Sequence, residues 1–359
     1  VDPIYKRLAI HLDKIPNGFP ATESGVELKL LAELFSAEEA KMACRMSMEP
    51  QAASEIGADL DQDEREITQL LNGMGRKGLI EISRSKNKLA YNLMPFVVGF
   101  YERQNARISE KFAHLFEEYY HEAFYKAMTK APSVHRVIPI EQTIPIDVEV
   151  MPYERASEYL DGAASWGVLP CICRVQKRLI GEPCDHSEEN CVVFSSRPGA
   201  FERTDAIRSL TKEEAREILV KSEEEGLVHS TGNFQDGLSY ICNCCTCSCG
   251  VLRGIAEHGS LNSVGRSDFY AVVDADLCTG CEVCLPRCQF KALSIKDDKS
   301  VVQVERCFGC GLCITTCPVE AISLKQKPAA EIAAPPITEA DWYLERAQAR
   351  GFSDSSSSE

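Results

Sequence analysis

Seventeen of the chain's eighteen cysteines fall between residues 171 and 317, and their spacing is the feature that can carry chemistry. Two runs share one pattern: Cys278-x2-Cys281-x2-Cys284-x3-Cys288 and Cys307-x2-Cys310-x2-Cys313-x3-Cys317. Each cysteine of the first recurs 29 residues later in the second (278 to 307). The echo reaches beyond the thiols: Val272/Val301, Val273/Val302, Gly280/Gly309, Ala292/Ala321 and Ser294/Ser323 keep the same register. Nine further cysteines come in tight patches, Cys171, Cys173, Cys184 and Cys191, then Cys242, Cys244, Cys245, Cys247 and Cys249. In a small secreted domain such a count would mean disulfides. This chain has 359 residues, and its start, Val1-Asp2-Pro3-Ile4, shows no basic n-region, apolar h-region or twin arginine. The thiols are therefore expected to bind metal, in the cytoplasm.

Over residues 268–326 the paired runs resemble bacterial dicluster ferredoxins. The resemblance implies a pseudo-symmetric (βαβ)2 fold, each half running strand, cysteine loop, short helix, strand. It also implies two [4Fe–4S] clusters with crossed ligation. One takes Cys278, Cys281, Cys284 and Cys317; the other takes Cys307, Cys310, Cys313 and Cys288. The spacing has a physical reason. Three cysteines two residues apart wrap a tight loop around three corners of a cubane, and the fourth, three residues on, reaches the neighbouring cluster. Gly280 and Gly309 let the loop backbone turn close to inorganic sulfide. One departure stands out: Pro318 follows the second run, but Gln289 follows the first. Eight thiolates could instead fill two zinc sites, but this run and its echo suit paired cubanes better.

The nine middle thiols are too many and too clustered for packing alone. The members of Cys171-x-Cys173 and of Cys244-Cys245 stand too close for both to bind one small ion comfortably. A third iron–sulfur cluster relaying electrons to the other two is the first expectation. The alternatives are a zinc site helped by His186, His229 or His258, and a redox-active thiol or substrate-reducing site. Arg174, beside the first pair, is either a counter-charge or a solvated cation. The arrangement looks like that of long ferredoxin-like proteins of anaerobic bacteria.

The elements that must position these residues read as an α+β multidomain chain. Residues 1–95 give short helices and a hairpin. Leu8 and Leu12, then Val26, Leu28, Leu30, Leu31 and Leu34, mark two apolar-faced helices, and Ser36 before Ala-Glu-Glu caps a third. Residues 51–56, a turn at Gly57 and residues 62–77 have helix-turn-helix spacing. Strands at 79–83 and 88–92 follow around a basic tip, Arg84-Ser85-Lys86-Asn87. That order resembles a winged helix. Its charge argues against DNA, because residues 1–95 hold 12 Lys and Arg against 15 Asp and Glu, and the second helix begins Asp61, Asp63, Glu64, Glu66.

Residues 96–130 read as one long helix or linker, with Phe112, Phe116, Tyr119 and Tyr120 at helical spacing as a core stripe or an interface. Residues 131–262 form the cysteine-rich α/β middle, with strands at 137–140 and 148–150, a helix at 152–164, a capped helix at 211–225 and a strand from Leu227. Residues 327–359 read as a mobile tail with a docking island at Trp342-Tyr343-Leu344.

Net charge of −15 argues against a nucleic-acid or anionic-membrane surface as the main partner. No apolar run reaches membrane-span length. The chain has no G-x-G-x-x-G after a strand, no Walker lysine loop and no His-Glu-x-x-His, so no nucleotide or metalloprotease site is argued. The expected role is electron transfer between a flavoprotein or metalloenzyme partner and an anaerobic reductase. A homodimer or complex would form through residues 1–130. The rival readings are a redox-responsive regulator built on the winged helix and an oxidoreductase with its own reduction site in the middle.

Overall fold

The computed structural model describes residues 1–58, 60, 63–85, 88–202, 204 and 206–352. It is a mixed α/β chain with two compact units. One holds residues 1–127, 176–183 and the segment from Arg346; the other holds 128–175 and 184–345.

The first unit is mostly helical: α1 (Pro3–Asp13), α2 (Val26–Leu34), α3 (Ala37–Ala43), α4 (Ala53–Ile56), α5 (Glu64–Arg76), α6 (Glu110–Tyr119) and α7 (Tyr125–Met128), with one hairpin, β1 (Ile80–Ser85) and β2 (Lys88–Leu93). Ser36 caps α3 in a closed box, its hydroxyl accepting from the Glu39 N–H (3.2 Å) while the Glu39 carboxylate accepts from the Ser36 N–H (2.8 Å). Asp63 caps α5 by accepting from the Arg65 N–H (2.7 Å), and Glu64 and Glu66 stand exposed in its first turn. Asp61 and Gln62, and Lys86 and Asn87 of the basic tip, lie outside the described residues, as do residues 353–359 of the tail.

The single helix expected over 96–130 is corrected. Val97, Val98 and Gly99 have non-helical backbone. A new helix starts only where the Ser109 hydroxyl accepts from the Phe112 N–H (3.1 Å). A serine that bonds a nearby backbone N–H stops one helix and starts another. Of the two readings of the rings, core stripe or interface, the core stripe is the one found. Phe96, Phe100, Tyr101, Phe112, Phe116, Tyr119, Tyr120 and Phe124 are all buried. Tyr101 stacks on Phe116 (4.3 Å between centroids), and Phe96 meets Phe124 edge-on (5.3 Å). They are the core of this unit.

The second unit is built on a seven-stranded sheet. Its elements are β3 (His135–Val137), α8 (Ala156–Asp161), β4 (Ser165–Pro170), the start of α9 (Ile172–Leu179, which from residue 176 belongs to the first unit), β5 (Glu189–Ser195), β6 (Arg208–Leu210), α10 (Lys212–Glu224), β7 (Val228–Gly232), β8 (Tyr240–Cys244), α11 (Arg253–His258) and β9 (Val264–Gly265). The strand order is β6-β4-β5-β8-β7-β3-β9, antiparallel except for the β3/β9 pair. Helix α10 opens on the Thr211/Glu214 capping box, and Ala215 and Leu219 bury its inner face against Val192, Phe194 and Ile241. Residues 148–150 are not a strand, and 152–164 splits into a short turn of helix and α8.

Beyond the sheet come β10 (Phe269–Val273), β11 (Leu293–Lys296), β12 (Lys299–Val302) and β13 (Ile322–Gln326), then α12 (Glu339–Ala349). β10 pairs with β13 and β11 with β12, both antiparallel, so the first strand of one half joins the last strand of the other. The short helix expected after each cysteine loop is replaced by turns, at residues 283–287 and 312–316. Trp342 of the expected island is buried, its indole N–H donating to the Ser133 carbonyl (2.9 Å).

Candidate metal centres

Two cavities lie in the segment between β10 and β13. Cys278, Cys281, Cys284 and Cys317 line one, together with Gly280 and Ser300. Cys288, Cys307, Cys310 and Cys313 line the other, together with Phe308, Gly309 and Leu312. Each set takes three cysteines from one half of the repeat and one from the other. Between them lies a shared apolar core of Ala271, Ala292 and Ile322.

Backbone donors reach the sulfurs in the same two-fold pattern. The N–H of Ala271 donates to Cys307 Sγ (3.3 Å), and that of Ser300, 29 residues on, donates to Cys278 Sγ (3.4 Å). The N–H of Ala292 donates to Cys288 Sγ (3.2 Å), and that of Ala321 to Cys317 Sγ (3.2 Å). Such donors favour thiolate over thiol and stabilise the negative charge on the sulfurs that would hold a metal. The Ser300 and Gly280 amides hold the Cys278 thiol below its ordinary range. Burial pushes Cys288, Cys310 and Cys313 up. Gly280 and Gly309 have φ of 69° and 68°, and a Cβ on them would lie 2.3 Å from the Asp298 carbonyl and 2.2 Å from Ser267 Oγ. Only glycine fits this turn and this approach. Eight thiols, amides aimed at their sulfurs and tightly turned glycine loops fit paired cubanes.

A family model described as a 4Fe-4S dicluster domain matches residues 270–318. That segment is a dicluster domain within a longer chain. No curated protein matches the chain.

Gln289, which takes the place of proline after the first run of the dicluster domain, anchors it to the sheet. Its Oε1 accepts from the Thr246 N–H (3.0 Å) and hydroxyl (2.8 Å), and its Nε2 donates to the Gly226 carbonyl (2.9 Å). Proline could do neither.

The nine middle thiols divide into two groups. Cys184, Cys245 and Cys247 gather with His186, all four ligand atoms lying within 4.8 Å of one another. The other six run as hydrogen-bonded neighbours: Cys171 with Cys173, Cys173 with Cys249, Cys249 with Cys244, Cys244 with Cys242, and Cys242 with Cys191. Adjacent residues of an extended chain face opposite ways, so Cys244 and Cys245 serve different groups. Hydrogen bonds from Cys242 and Cys249 hold the Cys244 thiol down to about 6. Hydrogen bonding to Cys245 pushes the His186 imidazole up to about 9.

Arg174 is buried, so the solvated alternative is dropped. It donates to the carbonyls of Ser187 (3.0 Å) and Asn243 (2.9 Å) and approaches Cys245 Sγ (3.5 Å). Burial alone would lower its pKa, but the thiols of Cys171 and Cys245 hold it up. Of the three histidines named from sequence, only His186 joins the cysteine group. His229 Nδ1 is bonded to Asn243 Oδ1 (2.6 Å), and His258 lies at the end of α11. The splitting of the thiols had no signal in the sequence beyond the Cys-x-Cys and Cys-x-His spacings.

Proposed function

We propose that this chain is an iron–sulfur electron-transfer protein or subunit. In this reading one [4Fe–4S] cluster is held by Cys278, Cys281, Cys284 and Cys317, and a second by Cys307, Cys310, Cys313 and Cys288. A third is held among Cys171, Cys173, Cys191, Cys242, Cys244 and Cys249. The single observation that carries it is the pair of cavities whose four-cysteine linings each mix the two halves of the repeat. When bound, the clusters supply one-electron chemistry. The chain supplies amide donors to the sulfurs, an apolar core between the two sites and a buried path from the second site toward the sheet. Cys288 and Cys310 pack against the core that contains Cys244 and Cys249.

In this role the dicluster domain takes a (βαβ)2-derived ferredoxin fold, and its partners are a flavoprotein or metalloenzyme on one side and an anaerobic reductase on the other. The protein works in the cytoplasm; no described helix is long and apolar enough to cross a membrane. The winged-helix-like residues 1–95 serve docking or dimerisation. The exposed acids Asp63, Glu64 and Glu66 at the start of α5 repel phosphate, which counts against the regulator.

Anaerobic iron and sulfide analysis with EPR tests the reading. About 12 iron atoms with equal sulfide are expected, at four per cluster. A yield of zinc without sulfide would remove its basis. A salt-sensitive, sequence-specific gel shift would replace the docking role with the regulator.

A further inference from the structure

The middle cysteine group has a geometry that the dicluster sites do not share. Among the described residues, neither dicluster four-cysteine set converges as closely as Cys184, His186, Cys245 and Cys247, whose ligand atoms all lie within 4.8 Å of one another. A cubane interposes its own iron and sulfide between its ligands, whereas ligands of one ion converge on a point. His186 Nδ1 lies 3.7 Å from Cys247 Sγ. Two tetrahedral ligands at about 2.3 Å (sulfur) and about 2.0 Å (nitrogen) from zinc stand about 3.6 Å apart.

We propose that Cys184, His186, Cys245 and Cys247 bind a single zinc ion, in a closed tetrahedral site distinct from every iron–sulfur site of the chain. Three thiolates and a neutral imidazole fill the four positions and leave none open, so the ion is structural. The donors come as two short pairs, Cys184-x-His186 on the loop before β5 and Cys245-x-Cys247 on the turn after β8. One residue separates the ligands of each pair, and the loop and the turn bring all four ligand atoms within 4.8 Å of one another. A site of this composition carries one net negative charge, and Arg174 Nη2 stands 3.5 Å from Cys245 Sγ. Ser248 Oγ donates to Cys184 Sγ at 3.3 Å. Arg174 also holds both arms independently of metal, through the carbonyls of Ser187 and Asn243.

The ion has a mechanical consequence. Thr246 lies between two of its ligands and gives both its N–H and its hydroxyl to Gln289, the neighbour of Cys288. Zinc thus stiffens the turn on which the dicluster domain is anchored.

The test uses the full-length protein, purified without oxygen from cells supplied with iron and zinc. Metal analysis should find about one zinc per chain, and zinc-edge X-ray absorption should fit three sulfurs at about 2.3 Å and one nitrogen at about 2.0 Å. Cys247→Ser and His186→Ala should lower zinc by at least about tenfold with iron and sulfide unchanged, while His186→Cys should keep zinc with a fourth sulfur. The absorption measurement on unaltered protein stands even if a variant misfolds. Three results would overturn the proposal: loss of iron and sulfide together in Cys247→Ser, unaltered protein with little zinc, or a zinc shell of oxygen and nitrogen alone. The electron-transfer reading fails separately, on iron and sulfide in the unaltered protein.

Discussion

The two halves of the dicluster domain carry the same cysteine pattern and meet opposite surroundings. Around Cys307–Cys313 the side chains turn inward: Phe308 and Leu312 are fully buried, and Phe290 stacks on Phe308 with 4.2 Å between ring centroids. The loop is clamped from outside the repeat. The Ile140 N–H donates to the Cys310 carbonyl (3.0 Å), and Ser267 Oγ donates to that of Gly309 (3.0 Å). Around Cys278–Cys284 the equivalent positions face solvent. Val283, the counterpart of Leu312, is 45% exposed, and Val319, the counterpart of Phe290, is 37% exposed. Identical spacing therefore yields an inner site against the sheet and an outer site at the surface. In the electron-transfer reading proposed above, the outer site would exchange electrons with a partner and the inner one would relay them toward the middle thiols.

The strongest test of that comparison removes the crossing ligands. Cys317→Ala should abolish the EPR signal of the outer cluster, whose other ligands lie upstream, and Cys288→Ala that of the inner one. Each variant should lose about four irons. If Cys317→Ala instead removes the signal that depends on Cys307, Cys310 and Cys313, the ligation is not crossed.

Packing should separate the halves next. Phe308→Ala opens a cavity in a filled core and should cost about 3–5 kcal/mol of stability in denaturant unfolding. Val283→Ala, at an exposed equivalent position, should stay within about 0.5 kcal/mol. Equal losses would mean that the halves are equally buried.

Acid should act on the inner side. His135, on the strand that leads to Ile140, is buried, and burial lowers its pKa from 6.5 to about 4. Between those values the unfolded chain binds a proton that the folded chain refuses, so stability falls as pH drops through this window. The contribution is at most about 3 kcal/mol. The melting temperature of His135→Gln should accordingly depend less on pH from 6.5 to 4; an unchanged slope would acquit this histidine.

The smallest effect belongs to the anchor. Gln289→Ala leaves the Thr246 donors and the Gly226 carbonyl without their partner and should cost about 1–2 kcal/mol. Iron content should hold, while the potential of the inner cluster shifts more than that of the outer. Equal shifts would show that Gln289 is not specific to one half.

Much of the chemistry was legible in the linear chain, because a chelating loop is a local object. The x2-x2-x3 spacing and its repeat mark the segment that matches the dicluster family model, and Ser36 and Thr211 mark helix starts through bonds to their own neighbours. The aromatic stretch showed its core stripe but not its breaks, since rings at helical spacing hide the non-helical backbone at Gly99 and the new helix start at Ser109. Tertiary structure alone decided three further things. It sorted nine middle thiols into two groups, because residues 184–186 and 245–247 meet only through the sheet. It buried Arg174 among thiols and carbonyls. It made one half of a symmetric repeat inner and the other outer, because a repeat encodes its own folding but not which of its faces finds the rest of the chain.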